Sequence, residues 1–125
     1  MRGHLYLLRG TLLEDVPMSA ELLGLLCAIE RVVPFCASAV DTWGPDSRTR
    51  HNVEELAELI IELMREPRGR SSAEAIIGEA ADVIITTIQV AIIFGGPEWH
   101  DALSQAIDAK RERLVARLPT INQCP

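Results

Sequence analysis

Ala75-Ile76-Ile77-Gly78-Glu79-Ala80-Ala81-Asp82-Val83-Ile84-Ile85-Thr86-Thr87-Ile88-Gln89-Val90-Ala91-Ile92-Ile93-Phe94 is apolar on almost every side and carries two acids, three residues apart. A helix that is apolar nearly all round is a buried helix. The stretch therefore reads as the central helix of an all-α domain, with Glu79 and Asp82 on one face at or near the interior. Carboxylates in such a place must be paired, hydrogen-bonded, protonated or bound to a metal.

The segment Asn52 to Arg65 supplies a counterpart. At about 100° per residue, Glu54, Glu55, Glu58 and Glu62 make one acidic stripe, and Leu56, Ala57, Leu59, Ile60, Leu63 and Met64 take the rest of the surface. Two such stripes brought together would repel unless cations stood between them. The pairs Glu55/Glu58 and Glu79/Asp82 thus outline a cage of four carboxylates.

Four helices follow from the punctuation around these segments. Ser19 is suited to cap a first helix carrying Leu22, Leu23, Leu25, Leu26, Ile29, Val32 and Val33, which Pro34 is expected to kink or end. Asp41 to Ser47 reads as a loop containing Gly44-Pro45. A second helix runs from about Asp46 or Arg48 to Glu66, stopped by Pro67. Ser71 or Ser72 caps the third, and Gly95-Gly96-Pro97 ends it, placing Pro97 near the first position of the fourth. That helix, Glu98 to Leu118, turns Leu103, Ala106, Ile107, Leu114 and Leu118 inward. It carries Lys110, Arg111, Arg113 and Arg117 near its end. The expected organisation is a poorly patterned leader over 1–17, one helical domain over 18–118 and a short tail over 119–125. A four-helix bundle results.

Composition sets limits on partners. The 125 residues are 48% hydrophobic but only 4% aromatic, more apolar surface than one small bundle covers, so pairing between subunits is expected. A net charge of −6 without a basic run argues against nucleic acid and anionic membranes. The uncharged run Val83 to Pro97 is shorter than the roughly 18–20 residues of a membrane span, and no convincing signal peptide opens the chain. Cys27, Cys36 and Cys124 show no ligand spacing and read as ordinary thiols of a reducing cytoplasm.

Oxygen-only ligands select hard cations, Mg²⁺ with Mn²⁺ as a substitute. A di-iron bundle would instead place a His three residues after a Glu, a spacing this chain lacks. Lys110 and Arg113, three apart on one face, are suited to a polyphosphate, Arg68 and Arg70 could border the site, and Trp43 offers a surface for stacking a base.

These residues carry a resemblance. Trp43-Gly44-Pro45, Glu54-Glu55-Leu56-Ala57-Glu58-Leu59-Ile60, Glu79-Ala80-Ala81-Asp82-Val83-Ile84-Ile85 and Lys110 with Arg113-Leu114 resemble the MazG-like all-α nucleoside triphosphate pyrophosphohydrolases. That family's signature is an ExxE pair followed by an ExxD pair on successive helices. The resemblance spans about residues 43–118. It implies a four-helix bundle completed by dimerisation, as a homodimer or dimer of dimers. Glu55, Glu58, Glu79 and Asp82 would bind Mg²⁺, Glu54 would add a ligand or orient the base, and Lys110 and Arg113 would meet phosphates. The reaction implied is cleavage of the α–β phosphate linkage of a nucleoside triphosphate, giving monophosphate and pyrophosphate. Arg48 stands where many relatives have Gln. Two alternatives remain, a phosphoribosyl-ATP pyrophosphatase and a noncatalytic nucleotide-sensing or interaction module.

Overall fold

A computed structural model describes residues 18–119. The leader 1–17, the tail beyond Pro119 and Cys124 lie outside the described residues. The described chain is all-helical: α1 (Ala20–Trp43), α2 (Pro45–Arg65), α3 (Ala73–Gly95) and α4 (Trp99–Arg117), with short 3₁₀ turns at Glu66–Arg68 and Gly96–Glu98.

Ser19 caps α1 by accepting from the Leu22 N–H at 3.1 Å. Contrary to expectation, Pro34 does not end this helix, which continues to Trp43. Proline removes one donor, the bond Glu30 would have received. Glu30 and Pro34 are both exposed, so water can serve that carbonyl. The loop expected over Asp41 to Ser47 shrinks to a single residue. Gly44 adopts φ 85° and ψ 156°, a region essentially reserved for glycine, and its N–H bonds the Val40 carbonyl at 2.9 Å while its carbonyl accepts from the Arg48 N–H at 3.1 Å. Pro45 then opens α2 from the first helical position, where its missing N–H costs nothing.

The connection between α2 and α3 is longer, running over residues 66–72 through the 3₁₀ turn at Glu66–Arg68. Gly69 takes the left-handed conformation, φ 69°, and Ser72 caps α3 through the Ala75 N–H at 3.1 Å. Pro97 falls inside the 3₁₀ turn rather than at the start of α4, which begins at Trp99.

Antiparallel α2 and α3 form the most extensively packed pair. Their register is pinned by Asn52 Nδ2, which donates to Thr86 Oγ1 at 2.8 Å and Thr87 Oγ1 at 3.1 Å. Thr86 Oγ1 donates in turn to the Asp82 carbonyl at 3.0 Å. At the other end Ser71 Oγ donates to Glu62 Oε2. α1 crosses α3 where the Cys36 thiol donates to the Ile85 carbonyl at 3.5 Å.

Burial is thinner than the apolar sequence suggests. Cys36, Ala39 and Ile88 are the buried apolar residues among those described, joined by the polar Thr86 and Gln89. α3 is therefore not enclosed on nearly all sides: Ile77, Ile84 and Phe94 are exposed, and Asp82 is exposed too. The inward face expected of α4 is also bare, with Ile107 and Leu114 exposed and only Leu103 and Leu118 of the expected set half-buried. Both departures have one physical reason: periodicity shows that a face is apolar, not that the same chain covers it. By length and composition, α1 and the run Ala73–Arg117 are long and apolar enough to cross a membrane.

Candidate metal centre

The α2–α3 register sets the acids opposite one another. With Asn52 at Thr86 and Glu62 at Ser71, the turns between hold Glu55 and Glu58 on α2 and Asp82 and Glu79 on α3. Glu55, Glu58 and Glu79 each offer an oxygen such that the three lie within 4.8 Å of one another. Asp82 lies at the rim of this group, close enough that its charge raises the pKa of both Glu55 and Glu79.

Electrostatics report the crowding. Burial, then the neighbouring Glu58, push the Glu55 carboxyl above its ordinary range, while His51 opposes the shift. Glu79 is raised by burial first, then by Glu58, Asp82, Glu55 and Glu62. An acid whose folded pKa lies above its unfolded value binds more protons when folded, so its ionisation opposes folding. That penalty is absent below the unfolded value, about 4.3 for Glu, and develops as pH rises through the folded value. The metal-free protein is therefore expected to melt higher at about pH 5 than at pH 7. Glu79→Gln should flatten this slope in thermal scans; an unchanged slope would show that Glu79 does not feel the cluster.

The donor set fits a hard divalent cation. All its atoms are carboxylate oxygens, and Glu79 Oε2 is buried without a hydrogen-bond partner, which is costly unless something positive approaches it. The Glu55 side chain is only 12% exposed, with Oε1 3.2 Å from His51 Nε2. The other ring nitrogen, Nδ1, is 3.5 Å from Glu54 Oε2. Glu54 itself projects outward, its side chain 70% exposed.

Glu62, a member of the acidic stripe, and His51 both border the cluster without having been expected among its metal ligands. His51 stands four residues before Glu55, the spacing of a helical side-chain pair, and that spacing was the available signal. Glu62 continues the acidic seam and is held by Arg65 Nη1 at 3.0 Å and by Ser71. At the far end of α2 the Arg48 guanidinium lies 4.8 Å from the centre of the Trp43 ring. Trp43 is 60% exposed, and Arg48, which lies against its ring, stands about two helical turns before Glu55 on α2.

Lys110 and Arg113 are both exposed on α4, and neither appears among the ion pairs of the described residues, whereas Arg111 on the same helix lies 3.6 Å from Asp108. Compared with known protein families, curated proteins and solved structures, the chain matches none.

Proposed function

We propose that this protein is a Mg²⁺-dependent nucleoside triphosphate pyrophosphohydrolase of the MazG-like type, acting in the cytoplasm on the nucleotide pool. The observation that carries the reading is the convergence of Glu55, Glu58 and Glu79 within 4.8 Å, with Asp82 beside them, on the two helices that bear the ExxE and ExxD pairs. Glu55, Glu58, Glu79 and Asp82 hold Mg²⁺, or Mn²⁺ in its place. A divalent ion bound there supplies a Lewis acid for a phosphoryl oxygen and a bound water of lowered pKa.

The chain's own residues arrange the rest. His51 orients Glu55 through the 3.2 Å contact. The Asn52–Thr86–Asp82 chain of hydrogen bonds fixes the level at which the ExxD pair meets the ExxE pair. Trp43 and Arg48 offer a planar surface for the base, Glu54 is free to orient the base or sugar, and Lys110 and Arg113 screen the phosphates once they are brought near.

A second reading rests on the lack of any ion pair from Lys110 or Arg113 among the described residues: a noncatalytic nucleotide sensor that uses the carboxylates as an ion site. Pyrophosphate release from a panel of nucleoside triphosphates and phosphoribosyl-ATP, with and without Mg²⁺, separates the readings. The expected result is Mg²⁺-dependent release of monophosphate and pyrophosphate from at least one nucleoside triphosphate. Turnover of phosphoribosyl-ATP alone would reassign the substrate, and binding without turnover of any member would favour the sensor.

A further inference from the structure

Between α1 and α3 runs an open apolar groove that the acidic seam does not use. Leu25, Ala28 and Ile29 form one wall, and Ala81, Ile84 and Ile85 the other. From the contact of Cys36 with Ile85 the groove follows both helices toward their N-termini, so α1 and α3 run the same way along it. Its open end therefore meets the start of α1, where Leu25 stands about 8 Å along the axis from Ala20. Leu25 is 52% exposed and Ile84 45%. A single exposed leucine needs no explanation, but a contiguous apolar patch marks a binding surface.

The chain just before α1 carries a stripe that matches this groove. Leu5, Leu8, Leu12 and Val16 recur at the spacing of one helical face. A stripe of three turns interrupted by Gly10 is weak in isolation, so it needs a surface on which to form. We propose that residues 1–17 fold back at Pro17 and lie along the α1–α3 groove, antiparallel to α1, with Leu5, Leu8, Leu12 and Val16 seated between its walls.

Four observations select this occupant. The stripe spans about 17 Å at helical pitch, and α1 from Leu22 to Val32 spans about 15 Å, so the two lengths agree. Pro17, Met18 and Ser19 separate Val16 from α1, a connection within the range of two to five residues that joins antiparallel helices. Ser19 is extended, φ −68° and ψ 157°, so α1 does not continue back into the leader. Arg2 and Arg9, seven apart, share one edge of the stripe, a charge pattern that suits the exposed Asp82 beside Ala81. A short tether also holds the segment at an effective concentration of about millimolar, above what a separate partner reaches.

The docking does not depend on the metal or on turnover, and its test uses neither. Trypsin reaches the bond after Arg9 when the leader is off the groove, so the cleavage rate there in the full chain, followed by mass spectrometry, tracks the undocked population. Dividing each rate by that of a free peptide of the same seventeen residues removes the effect of local sequence. The wild-type chain should be cut at least about tenfold more slowly than the peptide, the effect of burying even one leucine. The rate should be equal at about 1 and 100 µM protein, because a contact within one chain is independent of concentration. Leu12→Asp on the leader and Ile84→Glu on the groove wall should each remove most of the protection. Ile107→Glu, exposed on α4 and outside the groove lining, should leave it intact. Cleavage of the wild type as fast as the peptide would overturn the proposal. So would protection that rises with protein concentration, which assigns the groove to a second copy, or protection seen only with phosphatidylcholine vesicles, which assigns the leader to a bilayer. An equal loss from Ile107→Glu would mean general loosening and count against the groove. Should Ile84→Glu unfold, Leu12→Asp decides, because Leu12 belongs to none of the four helices.

Discussion

Asp82→Asn and Glu58→Gln are each expected to lower Mg²⁺-supported pyrophosphate release by at least about 100-fold, since loss of even the groups that orient metal ligands costs 10–100-fold. Stability should move the other way. Glu55 and Glu79 are both held above the ordinary carboxylate range, in part by Glu58 and Asp82, so removing either charge relieves repulsion in the metal-free protein. The variants should therefore melt no lower than wild type without metal. A large loss of activity with preserved or raised melting temperature distinguishes a missing ligand from a damaged fold. Full activity in both variants would remove these residues from the chemistry.

The second large effect is on stability. The same crowding that destabilises the metal-free state makes a divalent cation a strong stabiliser, because an ion that binds only the folded chain adds about 2.7 kcal/mol at a hundredfold excess over its dissociation constant. For a domain of this size that corresponds to a rise on the order of 10 °C in melting temperature. Mg²⁺ and Mn²⁺ should both produce it, and chelation should reverse it. NaCl at equal ionic strength should produce far less, since general screening acts on all eighteen acids and not on the seam alone. Equal stabilisation by NaCl and MgCl₂ would mean that the seam has no specific affinity.

Much of this arrangement is legible along the chain, and the illegible parts share a cause. The acidic pairs sit three apart, so helical periodicity alone predicts that each pair shares a face. The short turn around Gly69 forces α2 and α3 to lie antiparallel. What periodicity cannot give is the register. Asn52 against Thr86 sets that, through hydrogen bonds between polar residues with no distinctive spacing. His51 stands four residues before Glu55, a spacing that permits a helical pair but does not by itself say which acid the ring meets. Pro34 misleads because a single missing donor at a solvated position does not stop a helix whose apolar face continues to Ala39. Ile77, Ile84, Phe94, Ile107 and Leu114 read as interior from their hydropathy, yet all are exposed in the single chain. Sequence records that a surface is apolar; which molecule covers it is a property of the assembly.

Titration of Mn²⁺ into the full chain, followed by the loss of the free-ion electron paramagnetic resonance signal, probes the seam most directly. At least one ion per chain should bind the wild-type protein, be displaced by excess Mg²⁺, and bind at least about 10-fold more weakly to Glu58→Gln and to Asp82→Asn. Equal Mn²⁺ binding by all three proteins, or none at millimolar ion, would mean that the facing carboxylates of α2 and α3 do not hold a metal.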